Sequence, residues 1–300
     1  MKAYIQAGFG YPIGLRTLDW IGDLGFLGVR QCIPWGIPQV ELATLLNELV
    51  QAGMEALLIV GGWDVWDDGV VSPRFRDDDM PSSGAIGAFA RHVAEEAKRQ
   101  ELRAIIEVGN EPEITAAFKL NPGRYADTVR RVAAEVGSIR VAAGSIHDLT
   151  PESREYLGDV LSYGIPERTI VAVHPYRPGN KPWEPFTDFR HISEAATWLR
   201  TIWPHGEIAV SEIGWHTAPR MTGAGFLGLC RKSIRWTDEE IAKFARWELN
   251  LWQQVGSLFL TWYQLNDGPN DVESDRYGIR DQDGVPKPVA QVFKEFAVGA

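Results

Sequence analysis

The sequence predicts an α/β fold, namely a single (β/α)8 barrel (TIM barrel), on three observations. Short apolar segments alternate with segments of helical periodicity along all 300 residues, and each type occurs about eight times. Most apolar segments are continuous, which is typical of parallel strands covered on both faces. No glycine-rich nucleotide fingerprint follows the first strand, which favours the barrel over a doubly wound open sheet. We predict one domain over residues 1–300.

The eight predicted strands are short runs of mostly apolar residues. They lie at 4–8, 28–34, 56–62, 103–110, 139–146, 170–175, 208–213 and 258–264.

The predicted helices fall between these strands. They lie at 17–24, 38–52, 83–100, 123–136, 152–163, 188–202, 238–255 and 288–297. Several carry start signals: Ser82 or Ser83 is a candidate N-cap, Asn121 precedes a proline, and Thr237 with Glu240 has the spacing of a capping box.

The composition excludes several classes of function. The net charge of −10 argues against binding to a phosphate backbone, so we expect no nucleic-acid partner. No apolar stretch is long enough to span a membrane. The two cysteines make neither a disulfide framework nor a zinc site, and Cys32, within a predicted strand, is expected to be a buried thiol.

The amino terminus bears on location in the cell. The chain begins MKAYIQAGFG and runs directly into a strand, without an apolar targeting segment. We expect a cytoplasmic protein if Met1 is the native start, and a secreted one if a signal peptide was removed. The sequence leaves the oligomeric state open, and a monomer is compatible with it.

Twelve tryptophans are an unusual number for this length. Trp35, Trp63, Trp215 and Trp262 lie at predicted strand ends or in loops. Each alone is as readily explained by packing, but flat aromatic faces also stack on sugar rings. As a set they favour a cleft for carbohydrate.

Two glutamates stand where a barrel carries its chemistry, at the carboxyl ends of strands. Glu111 follows the string IIEVGN, and Glu212 lies in IAVSEIGW. Strands four and seven lie nearly opposite each other in an eight-stranded barrel, so the two side chains can meet. Two carboxylates facing each other across a pocket are the apparatus of glycoside hydrolysis.

The strand-end residues resemble those of clan A glycoside hydrolases, which are retaining enzymes on (β/α)8 barrels. The likeness rests on Asn110-Glu111-Pro112 on strand four, His174-Pro-Tyr176 on strand six and Ser-Glu212 on strand seven. It extends over the whole chain, including the segment 276–296.

The resemblance implies a role for each matching residue. Glu111 is the expected acid/base and Glu212 the expected nucleophile. Asn110 would hold the sugar 2-hydroxyl, Arg30 would support the charge of the nucleophile, and Tyr176 would hydrogen-bond it. His174 would orient the acid/base, and Trp262 would form the floor of the subsite at the scissile bond.

Physical chemistry adds expectations about ionisation at this site. We expect the negative charge of Glu212 to raise the pKa of Glu111, which must be protonated when it acts as an acid. Arg30 and Tyr176 are expected to keep Glu212 ionised. Glu113 is expected to be a loop charge rather than a third catalytic carboxylate, and His147 and His216 are candidates for sugar contact.

The family within the clan stays open. Cellulase-type members commonly carry a histidine at the end of strand three, where this chain has Trp63. The VGNE and VSE-x-GW strings are also similar to the clan's β-1,3-glucanases.

The predicted function is a retaining hydrolase of β-linked oligo- or polysaccharide, of glucan, mannan or xylan type, without a metal or organic cofactor. The alternatives are a non-catalytic carbohydrate-binding barrel and an exo-acting β-glycosidase on small glycosides. A metal-dependent barrel hydrolase would want a His-x-His pair on strand one, which the sequence lacks.

Overall fold

A computed structural model gives the fold of the chain. It describes residues 1–7, 13–61, 64–67, 70–73, 81–114, 118, 121–176, 190–215, 220–221, 233–234, 236–267 and 277–299. For a few of these only the backbone is described: 64–67, 70–73, 148, 190–192, 195, 220–221 and 233–234.

Eight parallel strands close into a barrel in chain order, so the predicted fold class is confirmed and the open sheet is wrong. The strands are β1 (Lys2–Gln6), β2 (Gly28–Cys32), β3 (Glu55–Val60), β4 (Ala104–Val108), β5 (Arg140–Asp148), β6 (Ile170–Tyr176), β7 (Ile208–Ile213) and β8 (Phe259–Trp262).

A helix follows each strand. The helices are α1 (Leu15–Asp23), α2 (Gln39–Gln51), α3 (Ser83–Arg99), α4 (Pro122–Glu135), α5 (Pro151–Ser162), α6 (Arg190–Ile202), α7 (Asp238–Val255) and α8 (Pro288–Gly299). Short antiparallel pairs lie in the loops after β3 (64–67 with 70–73) and β7 (220–221 with 233–234). Every predicted strand and helix is present, with ends within two residues of the prediction.

The predicted helix caps are formed. The Ser82 side chain accepts a hydrogen bond from the backbone of Ala85, and Asn121 accepts one from Arg124. Thr237 and Glu240 make both hydrogen bonds of a capping box. These side chains satisfy backbone N–H groups that the first helical turn leaves without partners.

The hydrophobic core has two layers. The larger lies between the strands and the helices. The smaller fills the barrel interior near the amino ends of the strands and consists of Tyr4, Leu57, Ile105, Ala142, Ile170, Ala172, Ala209 and Phe259. Towards the carboxyl ends, buried polar side chains replace this apolar plug: Gln6, Arg30, Glu107, Ser145, His174, Ser211 and Thr261. The barrel therefore carries its polar site above an apolar floor.

Within the described residues, no helix has the length and the apolar character needed to cross a membrane.

Helix α7 carries a buried carboxyl group, that of Glu248. Glu248 is completely buried, and one of its oxygens accepts a hydrogen bond of 2.9 Å from the Trp252 indole. Burial raises the pKa of Glu248 to about 8. The folded protein therefore binds a proton here that the unfolded chain releases above its ordinary pKa near 4.5.

We predict that Glu248→Gln makes the free energy of unfolding less dependent on pH. Between pH 4.5 and 8 the folded state holds more protons than the unfolded state, so wild-type stability falls as pH rises through this window. The variant's free energy of unfolding, relative to wild type, should increase by roughly 2 kcal/mol or more between pH 5 and pH 8. Denaturant titrations at several pH values measure this.

Glu239→Gln is the matched control, because Glu239 is exposed on the same helix. It should shift stability little at any pH. A Glu248→Gln difference that stays constant with pH would contradict the assignment.

Candidate active site

Glu111 lies three residues past the end of β4 in a strained backbone conformation. Its φ angle is +48°, in the left-handed region that residues other than glycine seldom adopt. The Glu111 backbone N–H donates to the carbonyl of Ser145 on β5, at 3.1 Å, and so ties the turn to the neighbouring strand. Such strained positions concentrate at functional sites.

A bulge in β5 determines which of its side chains face the pocket. The register against β6 shifts between Gly144 and Ile146, and Ser145 has a φ angle of +41°. Ala142 faces the barrel interior, whereas Ile146 faces the helices. Simple alternation would place both on one face, so the extra residue reverses the pattern and turns Ser145 and His147 inward.

A second bulge, in β7, does the same for Glu212. Leu260 and Trp262 of β8 pair with Val210 and Ile213, so β7 holds one extra residue between its two partners. Ala209 faces the interior and Ile213 faces the helices. Glu212 thereby joins Ser211 on the pocket side, where alternation alone would have pointed it outward.

Arg30 connects the two sides of the pocket. Its side chain is almost completely buried and uses all three nitrogens. Nε and Nη2 donate to Glu107 at 2.7 and 3.1 Å, and Nη1 donates to Glu212 at 2.5 Å. The guanidinium also donates to Asn110 Oδ1 (2.6 Å) and Gln6 Oε1 (3.2 Å). Burial opposes the charge of Arg30, but the two carboxylates outweigh it and raise its pKa.

Tyr176 supplies the second hydrogen bond to Glu212, at 2.8 Å to Oε1. Burial and then the charge of Glu212 raise the pKa of Tyr176 well above its ordinary value, so the phenol remains a donor. Its ring lies 6.3 Å from that of Tyr277, in an edge-to-face arrangement. Both oxygens of Glu212 thus accept hydrogen bonds from permanent donors.

Two histidines contact Glu111. Nδ1 of His147 lies 2.8 Å and Nδ1 of His174 lies 3.1 Å from the same oxygen, Oε1. Burial raises the pKa of Glu111, but these hydrogen bonds and charges outweigh it and hold the pKa well below its usual value. The expectation of a raised pKa for Glu111 is therefore wrong, because the two histidines contact its carboxylate and lower the pKa.

Glu113 is buried, although the sequence suggests an ordinary loop charge. Only 8% of it is exposed, and its Oε1 accepts a hydrogen bond from the backbone N–H of His147. Burial raises the pKa of Glu113 to about 7, against backbone hydrogen bonds that lower it. Glu113 thus fixes the strand segment that carries one of the two histidines on Glu111.

The two candidate catalytic carboxylates lie close together. One oxygen of Glu111 and one of Glu212 are within 4.8 Å of each other, and a ring nitrogen of His174 is within the same distance of both. Such a trio offers ligand atoms that a metal ion could use. However, both oxygens of Glu212 already accept from Arg30 and Tyr176, and Oε1 of Glu111 contacts both histidines. This hydrogen bonding suits a pair of catalytic carboxylates better than a metal centre.

Trp262 does not form the floor of the pocket, so that expectation is wrong. It is 1% exposed, and its ring packs at 5.4 Å against Phe293 of α8, between barrel and helix. Phe259, on the same strand, faces the barrel interior, so the alternation of side chains along the strand turns Trp262 outward. The next residue, Tyr263, lies on the pocket side, with its ring 5.5 Å from that of Tyr277.

The other predicted aromatic contacts have mixed outcomes. Trp35 is half-buried and packs on Phe89 at 4.9 Å, and Trp215 packs on Phe244 at 5.0 Å. Each retains some exposed surface, so a sugar contact stays a prediction. Trp63 and His216 lie outside the described residues.

Sequence reasoning missed several residues of the site. They are Gln6, Glu107, Ser145, Ser211 and Tyr277. Ser145 donates to Glu107 and accepts from Ser211 at 3.2 Å, which extends the network of Arg30 to β7. A signal was present for Glu107, because a carboxylate within an apolar strand needs a buried partner.

Comparison with known proteins gives similarity of structure and not of sequence. No protein-family model matches the chain, and no curated protein sequence matches it. An exo-β-1,4-mannosidase from Opitutaceae bacterium strain TAV5 superposes with a TM-score of 0.71 at 16% identity, over 100% of this chain and 59% of that one. A family 39 glycoside hydrolase from Bacteroides cellulosilyticus WH2 gives 0.71 at 17% identity, over 99% and 63%.

A further solved structure matches along nearly its entire length. Cel5A from Thermotoga maritima, solved with cellobiose, has a TM-score of 0.65 at 12% identity, over 97% of this chain and 95% of that one. This chain spans about three fifths of the length of the mannosidase and of the family 39 enzyme. The comparisons show that the chain has the barrel fold of solved glycoside hydrolases, as its resemblance to the clan predicts.

Proposed function

We propose that this protein is a retaining glycoside hydrolase that cleaves β-linked oligo- or polysaccharide. One observation carries the proposal: an oxygen of Glu111 lies within 4.8 Å of an oxygen of Glu212. Retaining enzymes hold their two carboxyl groups about 5–5.5 Å apart, whereas inverting enzymes leave room for a water between carboxyl groups about 6.5–9.5 Å apart.

The hydrogen bonds support the role of nucleophile for Glu212 and that of acid/base for Glu111. Glu212 receives donors from Arg30 and Tyr176 that do not lose their protons, which favours the ionised form a nucleophile requires. Glu111 contacts two histidines, of which His147 is exposed to solvent, and histidine is the side chain whose ordinary pKa lies near neutral pH. Glu111 is therefore suited to give and take a proton.

The reaction proceeds in two displacements. A Glu212 oxygen attacks the anomeric carbon, the glycosidic C–O bond breaks, and Glu111 gives its proton to the leaving oxygen. A water then attacks the glycosyl-enzyme and passes a proton to Glu111. Its hydroxide adds to the anomeric carbon and Glu212 leaves as a carboxylate. Asn110, held by Arg30, is placed to meet the sugar 2-hydroxyl beside this centre.

The structural neighbours support a β-linked substrate. They include an exo-β-1,4-mannosidase, a cellobiose complex of Cel5A and a β-galactosidase from Marinomonas ef1. Glucan, mannan and xylan are the polymers to test first. An exo-acting β-glycosidase on small glycosides is the second candidate, which the mannosidase neighbour favours.

We predict that Glu212→Ala lowers kcat on aryl β-glycosides at least about a thousandfold, because the covalent step loses its nucleophile. A panel of glucosides, mannosides and xylosides, followed by the matching polymers, identifies the sugar. Proton NMR of the first product formed should show the β anomer. A 2-fluoro glycoside should leave an adduct on Glu212, seen by peptide mass.

Glu155→Ala is the matched control, because Glu155 is exposed on α5, and it should keep full activity. An initial α product would contradict retention. Tight binding of the sugars without turnover in wild type would favour the non-catalytic barrel.

We predict that Glu111→Ala separates substrates by their leaving groups. A dinitrophenyl glycoside needs no protonation of its leaving oxygen, so its kcat/KM should change little. With 4-methylphenyl glycoside, kcat/KM should fall by roughly a hundredfold or more. Added azide should accelerate the second step for the dinitrophenyl substrate and give a β-glycosyl azide. Equal losses of kcat/KM for the two substrates would show that Glu111 is not the general acid.

A further inference from the structure

The two histidines on Glu111 differ in their access to solvent. Both place Nδ1 on Oε1 of Glu111, at 2.8 Å for His147 and 3.1 Å for His174. The His147 side chain is 48% exposed, whereas that of His174 is fully buried. Only one of the two rings can therefore exchange a proton with bulk water directly.

Burial limits what His174 can do. Its Nε2 has no hydrogen-bond partner among the described residues. The ring thus contacts Glu111 from an enclosed position, and His174 is suited to orient the Glu111 carboxyl through Nδ1.

His147 is held firmly where it contacts Glu111. The bulge in β5 turns its side chain into the pocket, and the buried carboxylate of Glu113 accepts its backbone N–H. Two titratable groups from the loop after β4 contact it, Glu111 at the ring and Glu113 at the backbone N–H. From β6, the Tyr176 ring lies 6.1 Å away, and His174 contacts the same oxygen of Glu111.

The charge of Glu111 favours a proton on His147, because a carboxylate in contact with the ring stabilises its imidazolium form. Glu113 carries less than a full charge near neutral pH, since burial raises its pKa to about 7. Tyr176 remains a neutral phenol, because burial and the charge of Glu212 raise its pKa. His147 is therefore the exposed, chargeable partner of a carboxylate that is otherwise enclosed.

Resting on the proposed function, we infer that His147 shares the catalytic proton with Glu111, so that the pair and not the carboxyl alone is the general acid. An imidazolium with a carboxylate and an imidazole with a carboxylic acid contain the same number of protons. Transfer from Nδ1 to Oε1 interconverts them. Donation to the leaving oxygen leaves imidazole and carboxylate, and the proton from the incoming water reloads the pair.

The experiment compares His147→Asn with wild type. The Asn amide can still donate to Glu111 but cannot carry the additional proton, so the substitution separates orientation from protonation. The pair holds its proton to a higher pH than a carboxyl alone, because its macroscopic pKa belongs to both groups. The basic limb of kcat/KM for a 4-methylphenyl glycoside should therefore move down by about one pH unit or more in the variant.

Activity at a fixed pH gives a second readout. At pH 7 the variant's kcat/KM on that substrate should fall roughly tenfold or more, while the dinitrophenyl glycoside loses little. A basic limb that stays in place, whatever the loss of activity, would overturn the inference and leave His147 a structural residue. An upward shift would also overturn it.

Two further variants serve as controls. His205→Asn changes an exposed histidine just before the amino end of β7, at the opposite end of the strand from Glu212, and should leave the profile unchanged. Glu113→Gln keeps an oxygen that can accept the His147 N–H but removes the nearby charge. If the basic limb follows Glu113→Gln and not His147→Asn, Glu113 holds the proton and the inference fails.

NMR titration separates this inference from the proposed function. With 13C-labelled glutamate and 15N-labelled histidine, the Glu111 carboxyl and the His147 ring should titrate in two common steps in wild type. In His147→Asn, Glu111 should titrate in a single step that lies between the two steps of wild type. Common steps in a protein without glycosidase activity would refute the function but keep the shared proton. Independent steps in an active enzyme would refute the shared proton only.

Discussion

The site depends on a single buried guanidinium. Taking the charge of Arg30 out of water costs several kcal/mol unless it is well paired. The structure places carboxylates from β4 and β7 on it, and amide oxygens satisfy its remaining donors. Glu107 and Glu212 come from nearly opposite sides of the barrel. The donors of Arg30 are therefore all satisfied only when β4 and β7 hold these side chains in one relative position. The position of Glu212 follows from that requirement.

The unequal charge of this cluster suits the proposed reaction. Arg30 carries one positive charge against two carboxylates, Glu107 and Glu212. When Glu212 becomes an ester in the glycosyl-enzyme, it loses its charge, and Arg30 keeps Glu107 as a balanced partner. Glu107 is completely buried and bonded to Ser145, so it can hold Arg30 in place throughout the cycle. Glu212 can therefore lose and regain its negative charge while the buried Arg30 cation stays paired with Glu107.

Sequence predicted the barrel, its elements and the two carboxylates, because apolar runs and capping patterns are local signals. It did not predict which way side chains face near strand ends. Trp262 was placed in the pocket although its strand turns it towards α8. The bulges at Ser145 and before Ile213 are single-residue events in pairing between strands distant in sequence, which no local pattern records. The contacts of His147 with Glu111 and of Glu113 with the His147 backbone likewise join segments that are distant in sequence.

The partners of the two carboxylates explain why similar groups can take different roles. Glu212 is bonded to Arg30, whose pKa is raised, and to Tyr176, whose pKa is also raised, so neither partner gives up its proton at physiological pH. Glu111 is bonded to two imidazoles, and the exposed one, His147, is of the residue type whose ordinary pKa lies in that range. Proton movement is therefore confined to one side of the pocket. A low pKa for Glu111 alone would disable it as an acid. In the shared-proton mechanism that we propose, the proton rests on the His147 ring until the leaving oxygen begins to take up charge. The acidity of the pair, and not that of Glu111 alone, then determines when the proton is lost.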